Sequence, residues 1–103
     1  MESIGKRIRK QRLHMALSLD ELAARSGVSK PYLSLIEGGK TKGLPRDAIL
    51  ERLSAALNLP DKLLVMQARL WQTPMEIRLI LAELASERED NQLLRQAMRE
   101  VLG

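Results

Sequence analysis

A chain of 103 residues allows one domain with a short appendage, and its 45% apolar content suffices for a modest core. Cysteine is absent, which excludes disulfides and thiolate metal sites and leaves the redox compartment open. The net charge of +4 is unevenly placed: residues 1–60 carry 11 Lys/Arg against 6 Asp/Glu, or +5, and residues 61–103 carry 6 against 7, or −1. A basic first half suits a phosphate backbone, although many solvated helical surfaces are as basic.

Phe is absent and the aromatics are one Tyr and one Trp. The core must therefore come from Leu, Ile, Val, Ala and Met, which suits packed helices better than sheets, and the expected class is all-α. No apolar run approaches the ~20 residues of a membrane span, and the basic N-terminus lacks a following apolar stretch of the signal-peptide kind, so a cytoplasmic protein is expected. His14 is the only histidine and falls on a predicted exposed face, so neither a metal triad nor a histidine-based catalytic triad has material. The carboxylates are scattered over helix caps and surface positions. No enzymatic constellation, metal site or cofactor is expected.

Residues 2–15 read as a first helix, with Ile4, Ile8, Leu13 and Met15 inward and Lys6, Arg7, Arg9 and Lys10 outward as solvated surface. In the next stretch, LSLDELAARSGVSKPYLSLIE from Leu17 to Glu37, Ser18 and Glu21 form a capping box that starts a helix with Leu22 and Ala23 inward. Gly27 supplies the positive φ of a tight turn and Val28 plugs the corner. Ser29 caps a second helix that carries Leu33 and Ile36 inward. Its outward face holds Lys30, Pro31, Ser34 and Leu35, where a helix-turn-helix places the residues that enter a major groove.

This stretch resembles the helix-turn-helix of the Cro and phage-repressor (XRE-type) family of bacterial and phage transcriptional regulators. Its SL-x-ELA…GV-x-K-x-YLS-x-IE pattern is especially similar to SinR-type regulators, and the likeness extends from about Ile4 to Leu64. In that family an arginine in the first helix pairs with a glutamate ending the recognition helix. The resemblance thus implies an Arg12–Glu37 ion pair that sets the reader's angle, with a phosphate contact by Arg12 besides. Two positions depart from the pattern. Ala16 stands where the family usually ends the first helix with glycine, which implies a tighter or strained turn. Leu19 replaces the phosphate-binding glutamine of many relatives, as SinR-type sequences also do, leaving Ser18 and the helix-start amides to meet a phosphate.

After Glu37, GGKTKGLPRD forms a glycine-punctuated basic loop, about two residues longer than the usual family loop before Pro45. Lys40, Thr41, Lys42 and Arg46 lie beside the recognition helix and suit phosphate contacts; a merely solvated loop is the competing account. The loop is not a P-loop, because it lacks the four-residue spacing before Gly-Lys-Ser/Thr and a preceding apolar strand. A fourth helix over 46–57 carries Ile49, Leu50, Leu53, Ala56 and Leu57 inward and ends at Asn58 as a left-handed cap. Pro60 precedes a short fifth helix, DKLLVMQARL, which completes the family's five-helix, lambda-repressor-like unit.

Two further starts follow. Thr73, Pro74 and Glu76 supply cap, first-turn proline and box partner, and Ser86 with Glu89 repeats the box. Ile77, Ile80, Leu81 and Leu84 form one apolar face. Leu93, Leu94, Ala97, Met98 and Val101 form another, out of phase with the first if the helix ran unbroken, so a helical hairpin with a break near 86–90 is expected and a single bent helix is the alternative. Trp71 anchors the junction. The expected organisation is a DNA-binding domain over 1–70 and a C-terminal segment over 71–103 whose two apolar faces dimerise, or else fold back over the first domain.

The implied function is a sequence-specific, double-stranded DNA-binding transcriptional regulator, a homodimeric repressor. Lys30 and Ser34 touch base edges, Tyr32 contacts backbone or base, and Leu35 packs on a thymine methyl; Ser18, Ser29, Pro31 and Thr41 complete the DNA-facing set, and Lys40, Lys42 and Arg46 neutralise phosphates. Leu19, Pro31 and Leu35 favour the rival, a protein-interaction module such as an antirepressor or adaptor. An antitoxin or a restriction-modification controller shares the pattern, and a regulatory protein partner fits any of these.

Overall fold

The helices of this chain are bounded by a few strong local signals. In the computed structural model, which describes residues 2–86 and 92–102 with side chains over 4–84 and 92–99, they run α1 (Glu2–His14), α2 (Leu19–Ser26), α3 (Lys30–Glu37), α4 (Asp47–Ala56), α5 (Leu63–Gln72), α6 (Met75–Ser86) and α7 (Gln92–Leu102). Among the described residues there is no strand, and no helix is long and apolar enough to cross a membrane.

Three helices end in the same left-handed device, in which crossed amide bonds satisfy the last carbonyls. Leu17 N–H donates to the Arg12 carbonyl and Ala16 N–H to that of Leu13, with Ala16 at φ 55°. Gly39, at φ 68°, closes α3 through its bond to Ile36 and that of Lys40 to Leu35; Asn58, at φ 55°, closes α4 through its bond to Ala55 and that of Leu59 to Ser54. Asn58 is therefore the cap its residue type predicts. At Ala16 the departure from glycine leaves the turn intact and places a Cβ in the left-handed region, at a cost of about 1–2 kcal/mol.

The first core cluster joins Ile4 and Ile8 of α1, Leu22 of α2, Leu33 and Ile36 of α3, Leu50 and Leu53 of α4 and Leu64 of α5, all buried. Leu13 is the exception to the inward set of α1. It is 56% exposed because it lies off the Ile4–Ile8 stripe, while Met15 packs against the cluster. Helix α5 begins two residues later than its proline suggests. Residues 60–62 form a turn, with Lys62 at φ 69°, after which the consecutive Leu63 and Leu64 face different clusters. Leu64 and Ala68 enter the first cluster. Leu63 and Leu70 enter a second, which they share with Ala97 and Met98 of α7.

Helix α7 thus returns over α5, and α6 packs against α7 in the expected hairpin. This assigns the apolar faces differently from a free dimerisation element. Ala97 and Met98 are buried and Leu81, Leu93 and Leu94 half-buried against the chain's own second cluster, because α5 supplies the third wall that a hairpin lacks. Ile77, Ile80 and Leu84 remain exposed. The side chains of Val101, Ser86 and Glu89 lie outside the described residues. The box expected of Thr73 and Glu76 is replaced by a different bond: the Thr73 hydroxyl turns back and donates to the Arg69 carbonyl, closing α5 rather than opening α6. Arg7, expected in solvent, is half-buried; its Nε donates to Gln67 Oε1 at 2.7 Å and its Nη2 to the Gln96 carbonyl at 3.0 Å, tying α1 to α5 and α7.

Helix α1 crosses α3 so closely at Gly5 that a Cβ there would stand 2.3 Å from the Ile36 carbonyl oxygen and 3.0 Å from that of Glu37. A backbone atom cannot move aside as a side-chain tip can. Gly5→Ala is expected to lower stability by about 1–3 kcal/mol or more in urea denaturation, whereas Gly43→Ala, with nothing within 4 Å of its added methyl, should leave the midpoint where it was.

Candidate nucleic-acid interface

The α2–α3 unit is built by its caps. Ser18 Oγ accepts from Glu21 N–H at 3.0 Å while Ser18 N–H donates to Glu21 Oε1 at 3.1 Å, the reciprocal box that the sequence predicts. The bond from the Ser18 amide, first among the causes, and then the Ser18 side chain hold the Glu21 carboxyl below its ordinary value of 4.5. Gly27 takes φ 73° and donates to the Ala23 carbonyl, and Val28 is buried in the corner. Ser26 adds a tie that sequence reading passed over. Its buried hydroxyl donates to the Leu22 carbonyl and accepts from Val28 N–H, so the turn's polar groups are satisfied inside the molecule. Ser29 caps α3 by accepting from Tyr32 N–H, with Pro31 in the first turn, where its missing N–H costs nothing.

Leu33 and Ile36 point into the core, which leaves Lys30, Pro31, Ser34 and Leu35 exposed on the opposite face. Tyr32 is half-buried against the first cluster, so its ring helps hold α3 in place. Arg12 and Glu37 meet as the family pattern implies. Arg12 Nε donates to Glu37 Oε2 at 2.8 Å and Nη2 to Oε1 at 2.9 Å, a bidentate pair whose side chains are only 11% and 7% exposed. Nη1 donates to the Leu17 carbonyl at 2.8 Å, so the same guanidinium also secures the end of α1. The hydrogen bond to Glu37 raises the Arg12 pKa above its ordinary value. Three of its N–H groups are thereby spent on Glu37 and Leu17, which suits Arg12 to a positioning role, and its side chain also lines the surface cleft beside Ser34 and Leu35.

Around α3 the cations divide into paired and open. Lys30 Nζ stands 3.1 Å from Asp20 Oδ2 of α2, an exposed pair across the turn. The separation of ten residues gives no helical-spacing signal, which is why the sequence did not point to Asp20. In the loop Lys40, Lys42 and Arg46 are exposed and Thr41 is half-buried. Arg9, one turn before Arg12 on α1, lines a shallow cleft of about 410 Å³ together with Leu19, Ser34, Leu35 and Lys40. The one-turn spacing from Arg12 was the available signal for it. Leu19 itself packs against the core, and the amide of Ser18 is occupied by Glu21, so a phosphate at the start of α2 would meet two carboxylates beside the helix dipole. Among the described residues no group of His, Asp and Glu side chains is placed to hold a metal ion.

Residues 8–64 match the helix-turn-helix family, more than half of the chain, from the middle of α1 into α5. The chain belongs to the XRE-type helix-turn-helix family. Among curated proteins this helix-turn-helix chain is 40% identical over 68 residues to the transcriptional repressor RghR of Bacillus subtilis, covering 66% of this chain and 50% of that protein. It is 34% identical over 79 residues to the uncharacterised regulator RghRB of the same organism (76% and 56% covered), and 43% identical over 56 residues to the transcriptional regulator SinR of Bacillus subtilis (54% and 50%). The chain spans about half the length of these relatives. No solved structure matches it significantly.

Truncating either member of the Arg12–Glu37 pair strands the other in a largely desolvated position. Arg12→Ala and Glu37→Ala are each expected to cost about 3–5 kcal/mol in chemical denaturation, and Lys30→Ala, from an exposed pair, less than about 1 kcal/mol; equal small losses at all three positions would refute the positioning role. A second expectation concerns acid. Because the Glu21 carboxyl is lowered on folding, its contribution is complete above pH 4.5 and is lost as pH falls through the folded value. The stability difference between wild type and Glu21→Gln should therefore narrow on acidification below pH 4.5, measured by thermal melts across the range.

Proposed function

We propose that the chain is a sequence-specific, double-stranded DNA-binding transcriptional regulator, a repressor that acts as a homodimer and reads the major groove with α3. The observation that carries this reading is the exposed face of a short helix, Lys30, Pro31, Ser34 and Leu35, held by a largely buried ion pair and flanked by the exposed cations Arg9 and Lys40, with Lys42 and Arg46 exposed further along the loop. A reading element must not change its angle when it meets the groove, and the bidentate pair supplies that constraint without occupying the reading face. Lys30 and Ser34 then meet base edges and Leu35 a thymine methyl, while the loop cations neutralise phosphates.

One such helix offers few base contacts, so tight specific binding favours two heads about 34 Å apart in successive major grooves. The surface for pairing is the outer face of α6. Ile77, Ile80 and Leu84, spaced as one helical stripe, are 46%, 54% and 53% exposed, while Met75 and Leu79 are exposed on another face of the helix. Exposed aliphatic side chains in such a row mark an interaction site more often than a solvated face. The buried residues of α7 hold this helix from behind.

Lys42→Ala is expected to weaken binding to every duplex similarly and to reduce the slope of log affinity against log salt by about one unit, while Lys30→Ala should weaken the preferred duplex most and relax its preference. Uniform losses for both would place α3 outside the groove. For the dimer, Ile80→Glu with Leu84→Glu should give a folded monomer by light scattering that loses most affinity for a two-half-site duplex. A variant that still dimerises would move the interface elsewhere.

A further inference from the structure

Asp20 is out of place on a surface that faces DNA. It projects from the first turn of α2, 73% exposed, and its carboxylate sits 3.1 Å from the ammonium of Lys30 at the first turn of α3. A lone carboxylate at this point repels phosphates, and pairing with it cancels the charge of the one cation on the reading face of α3. The pair is not needed for the fold, since exposed ion pairs contribute little to stability and the turn is already closed by Ser26, Gly27 and Val28. What the pair does provide is a donor and an acceptor held side by side, on two helices that the core fixes relative to each other.

The edges of base pairs in the major groove differ in the order of such groups. A G·C pair presents two neighbouring acceptors, guanine N7 and O6, and then the cytosine N4 amine as donor; an A·T pair presents adenine N7, the N6 amine and thymine O4, so that acceptors flank the donor. An ammonium with several N–H groups beside a carboxylate matches the first order: both guanine acceptors go to the cation and the adjacent amine to the anion. On A·T the cation reaches a single acceptor before it must leave its partner.

We propose that Lys30 and Asp20 act as one composite reader of a G·C base pair, Lys30 donating to guanine O6 and N7 while Asp20 accepts from the cytosine amine. This makes Asp20 a specificity-determining residue. The assignment rests on the reading of α3 as the groove-entering helix. It also accounts for a carboxylate on a basic face, because the cytosine amine compensates the cost of bringing Asp20 near the phosphates only at the correct base pair.

The test begins with the duplex that the full-length wild-type chain selects from a random pool, followed by binding to duplexes carrying each of the four base pairs at every position. The expected result is one G·C position at which wild type discriminates against A·T by about tenfold or more. There Asp20→Ala and Lys30→Ala each reduce discrimination to within about twofold, and the double variant loses no more than either. Substituting 7-deazaguanine at that position should weaken wild type but not Lys30→Ala. Unchanged thermal midpoints for both single variants, expected from their exposure, confirm that folding is not the cause. If Asp20→Ala instead raises affinity for every duplex and leaves base preference intact, Asp20 only repels phosphate and the composite reader is overturned. The same follows if the two substitutions relax different base pairs. A wild-type chain that selects no sequence at all overturns the DNA-reading function itself, and the reader with it.

Discussion

The rest of this structure depends on the ion pair between Arg12 and Glu37. Two parallel hydrogen bonds of 2.8 and 2.9 Å join α1 to the end of α3, and the third donor of the guanidinium secures Leu17, where the chain leaves α1 for α2. A pair this largely buried adds little net stability, since both charges were mostly desolvated to make it. Its value is directional. A guanidinium fork accepts a carboxylate in few geometries, so the pair admits few angles between α1 and α3, and the backbone contact at Gly5 sets their closest approach. Hydrophobic packing alone, being non-directional, would tolerate small rotations of α3 on Leu33 and Ile36.

A second constraint comes from α5, which is apolar on two sides because it serves two clusters. Leu64 and Ala68 close the core beneath α2, α3 and α4, and Leu63 and Leu70 accept Ala97 and Met98 from α7. The C-terminal hairpin is thereby continuous with the helix-turn-helix unit instead of hanging from it. Arg7 strengthens the continuity by bridging α1 to buried Gln67 and to the backbone of α7. Any displacement of α7 would expose Leu63 and Leu70 and release a side chain of α1, the helix that orients α3.

The charge pattern acquires meaning from this arrangement. The sequence shows a basic first half, but its cations do different work: Arg12 is largely buried in its pair, Arg7 joins helices, Lys30 is balanced by Asp20, Arg9 and Lys40 stand exposed beside Ser34 and Leu35, and Lys42 and Arg46 are exposed in the following loop. Net charge counts all of these alike. Affinity for a phosphate backbone depends only on those free to displace counterions.

What the sequence determined by itself is what short-range chemistry encodes. Ser18 with Glu21, Gly27, Ser29 with Pro31, and Asn58 each bound a helix through atoms within a few residues, and each is found where residue type placed it. The Arg12–Glu37 pair was legible through the resemblance, and the inward stripes through their helical period, except at Leu13, where a leucine off the stripe has no local signal to distinguish it. Tertiary structure decided the rest, because it depends on which surfaces meet. Whether the faces of α6 and α7 turned inward or outward could not follow from their period, since an apolar stripe states that a face seeks cover and not what covers it; α5 took Ala97 and Met98 and left Ile77, Ile80 and Leu84 exposed. The partners of Arg7 lie 60 and 89 residues away, and that of Lys30 ten residues away across a turn. No spacing rule reaches such contacts, which exist only because the packed helices bring distant side chains within hydrogen-bond range.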